Sequence, residues 1–81
     1  MDWKIAEETA TDLIKARYDA IAELNIVSTE LTEVSDMPIY KVEGSLKTTT
    51  EEISFSVQID AKTGKVLGFK RERLADRFSL G

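Results

Sequence analysis

The segment Phe55–Phe69 constrains the fold of this 81-residue chain more than any other segment. It contains Asp60, whose carboxylate can accept hydrogen bonds from backbone N–H groups two or three residues later. Gly64 then supplies the positive φ that returns the chain to a partner strand. In the strand that leads into this turn every second residue is apolar: Ile53, Phe55, Val57 and Ile59. The segment therefore predicts a β-hairpin.

The second strand of this hairpin is predicted over Val66–Arg71, with Leu67 and Phe69 directed toward the core. From Arg71 onward apolar residues recur at helical spacing, namely Leu74, Ala75 and Phe78. We therefore expect the chain to end in a short helix.

Residues 3–24 carry the pattern of an amphipathic helix. Asp2 is a candidate N-cap, and Asn25 can adopt the left-handed conformation that ends many helices. At about 100° per residue, the apolar side chains fall on one stripe: Trp3, Ala6, Ala10, Leu13, Ile14, Ala20, Ile21 and Leu24. Arg17 lies near the centre of this stripe.

Two further strands are predicted between this helix and the hairpin. Ile26–Val34 is rich in β-branched residues but alternates imperfectly, which is typical of an edge strand. The break at Ser35–Pro38 is followed by clear alternation over Ile39–Lys47. Within that strand, Gly44 indicates either a bulge or a close approach of the helix. Residues 48–52 form the polar connection to the hairpin.

Together these patterns predict an α+β fold, with one N-terminal helix packed on a four-stranded antiparallel meander and a short C-terminal helix. A chain of this length forms a single domain, residues 1–81, around one thin core. We expect that core to contain Tyr40, Val42, Leu46, Phe55, Val57, Ile59, Leu67 and Phe69 on the sheet, and Leu13, Ile14, Ile21 and Leu24 from the helix.

The composition argues against several kinds of catalytic site. The chain has no cysteine and no histidine, which excludes disulfides, thiolate nucleophiles, the usual zinc sites and histidine acid–base chemistry. Paired carboxylates such as Glu7 and Glu8 have no base or nucleophile beside them, so a solvated face explains them. The turn after Asp60 lacks the further oxygen ligands of a calcium loop. We therefore expect no enzyme, no metal site and no cofactor.

The net charge of −4 is unevenly distributed along the chain. Residues 1–60 hold 5 Lys and Arg against 13 Asp and Glu, whereas residues 61–81 hold 6 against 2. Because the acidic part would repel phosphate backbones, we expect no nucleic-acid partner. A charged N-terminus and the lack of a run of roughly 20 apolar residues predict a cytoplasmic protein that does not enter a membrane. A chain that had lost a targeting segment would show the same pattern.

Two motifs resemble the PepSY domain family. Tyr40-Lys-Val42 matches its Tyr-x-Val strand, and Asp60-Ala-Lys-Thr-Gly-Lys-Val-Leu67 matches its Asp-x-x-Thr-Gly-x-Val-Leu strand end. With the preceding helix, the resemblance spans nearly the whole chain. It implies a largely non-catalytic domain associated with protein–protein regulation, including that of secreted peptidases, and placed outside the cytoplasm or beside a membrane. This chain shows no export or membrane segment. That difference from the family bears more on the role that the resemblance implies than on the fold.

The candidate binding residues are two aromatics and a set of arginines. Trp3 is a candidate because such aromatics are enriched at binding hot spots, and Tyr40 because its ring carries a polar tip; packing in the core or at its rim is the alternative for both. Arg17 either covers apolar surface with its stem or anchors an anion at the helix–sheet seam. The basic C-terminal residues either form a patch that receives an acidic partner, or attract the acidic part of the same chain or face solvent separately; they are Lys70, Arg71, Arg73 and Arg77.

The sequence thus predicts a non-catalytic binding or regulatory module for a protein, a peptide or a small anionic ligand. Contact would be made through a strand edge, or at the helix–sheet seam near Arg17. The alternative is a self-associating structural domain, in which a strand edge or the polar sheet face pairs with another copy to form a homo-oligomer.

Overall fold

The structure, a computed structural model, describes residues 2–76, with side chains to residue 73. It contains one helix and four strands: α1 Trp3–Arg17, β1 Glu23–Val34, β2 Met37–Lys47, β3 Glu51–Asp60 and β4 Val66–Asp76. The strands form one antiparallel sheet in the order β1-β2-β3-β4, and α1 contacts β1 and β2. The predicted helix and four-stranded meander are confirmed. Within the described residues no helix is long and apolar enough to span a membrane.

Helix α1 begins as predicted and ends earlier than predicted. Asp2 is the N-cap, and its carboxylate accepts a hydrogen bond from the Ile5 amide at 3.0 Å. The prediction of a helix to residue 24 was wrong, because the backbone is extended at Tyr18 and Ala20 has a φ of 53°. Residues from Glu23 onward instead pair with the end of β2, whose backbone groups would otherwise lack partners.

Strand β1 is an edge strand, as its imperfect alternation predicted. Ile26 pairs with Gly44 but Ser28 pairs with Glu43, so Val27 is the extra residue of a β-bulge. The bulge lies opposite Gly44, which agrees with the interpretation of that glycine. The break after β1 is shorter than predicted, because only residues 35 and 36 form the turn and both have positive φ.

The turn between β3 and β4 has the predicted chemistry. A carboxylate oxygen of Asp60 accepts hydrogen bonds from the amides of Lys62 at 2.8 Å and Thr63 at 3.4 Å. Gly64 has a φ of 78°, and its amide donates to the Asp60 carbonyl at 2.8 Å. The hairpin predicted from Phe55–Phe69 is therefore confirmed.

Strand β4 corrects two predictions. The chain continues as a strand to Asp76, so the predicted C-terminal helix is wrong over residues 71–76; Phe78 lies outside the described residues. Leu67 was expected in the core but is 44% exposed, because it is the extra residue of a bulge between the pairs Ile59–Val66 and Gln58–Gly68. Phe69 pairs with Val57 and packs against the core, as predicted.

The core lies between α1 and one face of the sheet. Its buried side chains come from alternate positions of β2 and β3 and from one stripe of α1: Ala6, Ala10, Ile14, Val42, Leu46, Ile53, Phe55, Val57 and Ile59. Around them pack half-buried residues that include Leu13, Ile21, Leu24, Tyr40 and Phe69. The opposite sheet face carries polar side chains such as Lys41 and Glu43, whose charged groups are 3.6 Å apart.

Candidate binding surface

Arg71 joins strand β4 to the segment that follows the helix. Its register opposite Phe55 places it on the helix-covered face of the sheet. Its guanidinium donates a hydrogen bond to the hydroxyl oxygen of Tyr18 at 2.9 Å and lies 6.0 Å from the centre of that ring. The hydrogen bond to Tyr18 raises the pKa of Arg71 above its ordinary value, so this side chain is always a cation.

Arg17, the last residue of α1, lies over another aromatic ring. Its guanidinium carbon is 4.8 Å from the centre of the Phe69 ring, within the range of a cation–π interaction. Lys15 and Arg17 form the basic last turn of the helix, where the helix dipole favours positive charge. Arg17 is exposed, which agrees with a stem that covers apolar surface and a head that reaches solvent.

Arg73 extends this group of cations along β4. Its guanidinium forms an ion pair with Glu51 at 3.1 Å, and its side chain is 62% exposed. Arg71, Arg73, Glu51 and Ile53 line a shallow cleft of about 290 Å³. We call the whole area the arginine surface; it consists of Arg17, Tyr18, Glu51, Phe69, Arg71 and Arg73.

Two guanidiniums of the arginine surface form no ion pair with the side chains that the structure describes, although the charge of Glu51 acts on one of them, Arg71. Among residues 2–73, whose side chains the structure describes, Arg73 has a carboxylate within 4.0 Å, whereas Arg17 and Arg71 have none. Both of these guanidiniums instead contact aromatic rings, which restrict their positions. Each keeps N–H groups that can donate to a further acceptor.

The end of the helix determines this geometry. The Tyr18 amide donates to the Ile14 carbonyl at 3.0 Å, and Tyr18 then adopts an extended backbone conformation. Two consecutive residues therefore face β4, with Arg17 over Phe69 and Tyr18 beside Arg71. Phe69 and Arg71 are two positions apart on one strand and so share a face.

The other predicted site residues lie elsewhere or outside the described part. Trp3 is 52% exposed at the opposite end of α1, where the ammonium of Lys4 lies 5.7 Å from its ring centre. Tyr40 is half-buried in β2, between Leu31 and Ile59 in register, and packs against the core. Arg77 lies outside the described residues. The structure thus brings together Arg17, Arg71 and Arg73 of the six predicted residues.

Three members of the arginine surface were not predicted as site residues. Phe69 was expected only in the core, Tyr18 lay within the helix predicted over residues 3–24, and Glu51 belonged to the polar connection. The sequence does hold a signal for Phe69, because alternation from Val57 across a short hairpin places it two residues before Arg71. The contact between Tyr18 and Arg71 joins positions 53 residues apart and has no local signal.

Two other concave areas are more open. One, of about 520 Å³, lies along α1 and reaches Ile26 of β1; it is lined by Lys4, Glu7, Glu8, Thr11, Asp12, Lys15 and Ile26. The other, of about 680 Å³, lies on the polar sheet face and is rich in serine hydroxyls. Within the described residues no cluster of three or more carboxylates is placed to hold a metal ion.

Comparison with known proteins gives one assignment. Neither the curated proteins nor the solved structures gave a significant match to this chain. The family model described as "Peptidase propeptide and YPEB domain" matches residues 4–70, which contain α1 without its first residue, the first three strands and the start of β4. Because this match covers well over half of the sequence, the chain belongs to the PepSY family.

Proposed function

We propose that this PepSY domain is a non-catalytic module that binds an acidic segment of a protein or peptide at the arginine surface. The observation that carries the proposal is the pair of exposed guanidiniums, Arg17 and Arg71. Each lies on an aromatic ring, and neither has a carboxylate within 4.0 Å in the described part of the chain.

Two properties of arginine support an acidic partner. The planar guanidinium binds a carboxylate with two parallel hydrogen bonds, which fixes geometry as well as charge. Contacts with Phe69 and Tyr18 already restrict the two side chains, so less conformational entropy is lost on binding than with free arginines. Since the whole chain has a net charge of −4, the arginine surface is also the area that an acidic segment would approach with least repulsion.

Membership of the PepSY family supports a protein partner over a small molecule. The family resemblance implies protein–protein regulation, and the cleft beside Arg71 is shallow, with charged side chains as three of its four lining residues. Small-molecule sites are instead enclosed and mostly apolar. The absence of catalytic activity and the cytoplasmic location stay predictions.

The test uses an unstructured peptide in which Glu and Ser alternate, titrated into isotope-labelled protein and followed by amide NMR shifts. We expect shifts around Arg17, Tyr18 and Arg71 that weaken as salt is added. The double variant Arg17→Gln/Arg71→Gln should bind at least about tenfold more weakly, which corresponds to about 1.4 kcal/mol. The control Lys4→Gln removes one positive charge at the other end of α1 and should bind as the unaltered protein does.

Shifts that spread evenly over all basic residues, or equal loss in Lys4→Gln, would contradict a defined site. A parallel titration with citrate tests the small anionic ligand. If citrate binds at Arg17 and Arg71 as tightly as the peptide does, the ligand is a carboxylate compound and the protein partner is wrong. Circular dichroism of each variant verifies that the fold is intact.

The second candidate is self-association, and the charges of the two sheet edges favour it. Edge strand β1 carries three glutamates, Glu23, Glu30 and Glu33, and no Lys or Arg. Strand β4 carries three cations, Lys70, Arg71 and Arg73, against two acidic residues, Glu72 and Asp76. These edges could attract each other between copies in a head-to-tail arrangement. Sedimentation at increasing protein concentration, at low and high salt, tests this candidate; a constant monomer mass rules it out.

A further inference from the structure

The outer edge of β4 offers backbone groups for pairing over a limited stretch. Within residues 2–76 no strand lies beyond β4, which ends the sheet. Register shifts leave bulges at Leu67 and Leu74, and between them Gly68–Arg73 pair regularly with β3. Since a bulge interrupts pairing, the stretch that can accept another strand is Gly68–Arg73.

The sheet already pairs opposite charges from strand to strand. On the polar face, the ammonium of Lys47 lies 3.7 Å from a carboxylate oxygen of Glu23 in β1 and 3.6 Å from one of Glu52 in β3. These three residues are direct neighbours in register. Opposite charges at such positions stabilise strand pairs, and like charges destabilise them.

The side chains of β4 that a further strand would meet in this stretch are cations, one aromatic ring and one carboxylate, that of Glu72, which pairs with Ser54 on the polar face. Ser56 of β3 pairs with Lys70 on the polar face, and Phe55 pairs with Arg71 on the helix-covered face. Val57 pairs with Phe69, whose side chain is half-buried. A strand added here would therefore meet Phe69, Arg71 and Arg73 on one face. On the other face it would meet Lys70 and Glu72, and its residue opposite Glu72 is uncharged because like charges destabilise a strand pair.

We infer that the acidic partner binds as a fifth strand, antiparallel to β4 along Gly68–Arg73. This inference rests on the proposed function and specifies its ligand, which is an extended segment with acidic residues opposite Arg71 and Lys70. The ligand residue opposite Phe69 is apolar. Because an antiparallel strand runs in the opposite direction to β4, this apolar residue directly follows the two acidic residues in the ligand sequence. Main-chain hydrogen bonds supply affinity and the three side-chain positions supply specificity.

The opposite edge of the sheet does not suit this ligand. Strand β1 presents Glu23, Glu30 and Glu33 and no Lys or Arg, so an acidic strand would meet like charges there. Its bulge at Val27 also interrupts the edge near the middle of the strand. The choice between the two edges therefore follows from charge.

The experiment uses the acetylated and amidated peptide Glu-Thr-Glu-Glu-Val-Thr and two of its N-methylated forms. In a strand, alternate N–H groups point to the same edge. One form is methylated on the N–H groups that would point to β4, and the other on the groups that would point away. We expect the second form to bind as the parent peptide does and the first to bind at least about tenfold more weakly. Amide hydrogen exchange should slow at every second residue of Gly68–Arg73.

A matched pair of protein variants tests the charge pattern. Lys70→Gln removes a cation within the pairing stretch and should weaken binding of the parent peptide severalfold. Lys62→Gln removes one from the turn between β3 and β4 and should leave binding unchanged. Equal effects of the two variants would overturn the assigned register.

The remaining outcomes separate this inference from the proposed function. If both methylated peptides bind as the parent does, with shifts at Arg17 and Arg71, the acidic ligand is confirmed and strand addition is overturned. If the parent peptide causes no shifts at Arg17 and Arg71, while the unstructured Glu and Ser peptide does, strand addition is also overturned. If neither peptide binds, both the strand addition and the proposed function are wrong. If sedimentation shows that the peptide binds only by dissociating an oligomer, the edge belongs to a second copy, which overturns an acidic partner.

Discussion

The aromatic ring of Phe55 lies over Gly44, its direct partner across β2 and β3. A Cβ atom at position 44 would lie 2.7 Å from the ζ carbon of Phe55 and closer still to the carbonyl oxygen of Asn25. No side chain fits there without movement of the ring and of the β1 backbone. We expect Gly44→Ala to lower the free energy of unfolding by about 1–3 kcal/mol, measured by urea denaturation.

Gly68→Ala is the matched control, because this glycine also lies inside a strand. A Cβ atom there would meet only the side-chain oxygen of Gln58 at 3.4 Å, an ordinary contact. The substitution removes conformational freedom from the unfolded chain and should change stability by between zero and about +1 kcal/mol. If both variants lost the same free energy of unfolding, the effect would come from replacing any glycine within a strand and not from the contact between Gly44 and Phe55.

Leu67 and Phe69 have opposite environments although both are large apolar residues of β4. Phe69→Ala should lower the free energy of unfolding by about 2 kcal/mol, below the usual cost for a fully buried ring because Phe69 is half-buried. Leu67→Ala should change it by less than about 0.5 kcal/mol, since this side chain is 44% exposed. Thermal or urea unfolding compares the two; a larger loss for Leu67→Ala would contradict the bulge.

A hydrogen bond holds α1 to the edge of the sheet. The hydroxyl of Thr29 in β1 donates to a carboxylate oxygen of Glu7 at 2.6 Å in a partly buried position. Thr29→Val keeps the shape and removes the donor, so it should cost about 1 kcal/mol. A double-mutant cycle with Glu7→Ala should give a coupling energy of about 0.5–1.5 kcal/mol. The cycle repeated with the exposed neighbour Glu8 should give none.

Acid should weaken the fold partly through Asp60. Hydrogen bonds from the Lys62 amide, and then the Thr63 amide, lower the pKa of Asp60 below its ordinary value of 3.8. A carboxyl group whose pKa is lower in the folded state than in the unfolded state stabilises the fold. This stabilisation is complete above the pKa of the unfolded state and is lost as the pH falls through the pKa of the folded state. The hydrogen bond from Asn25, and then the charge of Lys47, lower the pKa of Glu23 in the same direction.

The corresponding experiment compares urea midpoints at about pH 6 and about pH 3, on either side of the ordinary carboxyl range. The unaltered protein should lose stability at the lower pH. Asp60→Asn keeps an oxygen that can accept from the turn amides but cannot titrate, so it should lose less. If the variant loses as much as the unaltered protein, the contribution assigned to Asp60 is wrong.

The sequence predicted those parts of the fold in which local chemistry and alternation agree. The β3–β4 turn is one example, because the carboxylate of Asp60 and the freedom of Gly64 determine it within six residues. The buried face of β3 is another, since its alternation is uninterrupted from Ile53 to Ile59. The start of α1 at Asp2 also follows from local capping.

The errors occur where distant partners decide the structure. Residues 18–24 continue an apolar stripe at helical spacing, but the end of β2 needs a partner strand and takes Glu23 and Leu24. Residues 71–76 likewise pair with the first half of β3, against their helical spacing. Leu67 was misplaced because one inserted residue reverses which side chains face the core.

The candidate site was predicted in its charges but not in its assembly. Arg71 and Arg73 could be selected because cations are concentrated near the end of the chain, and Arg17 because it lies in the apolar stripe of the helix. Their common location depends on Phe69 and Tyr18, which hold two of them through contacts between distant residues. Such contacts leave no periodic signal in a single sequence.

The order β1-β2-β3-β4 has a consequence for how fast the domain folds. Every pair of neighbouring strands is also consecutive along the chain and is joined by a short connection, at residues 35–36, 48–50 and 61–65. Each hairpin can therefore form without closing a long loop, so the contact order of the sheet is low for a β-rich domain. Folding should be rapid, and the meander should form in single-exponential kinetics that do not wait for a slow long-range pairing step.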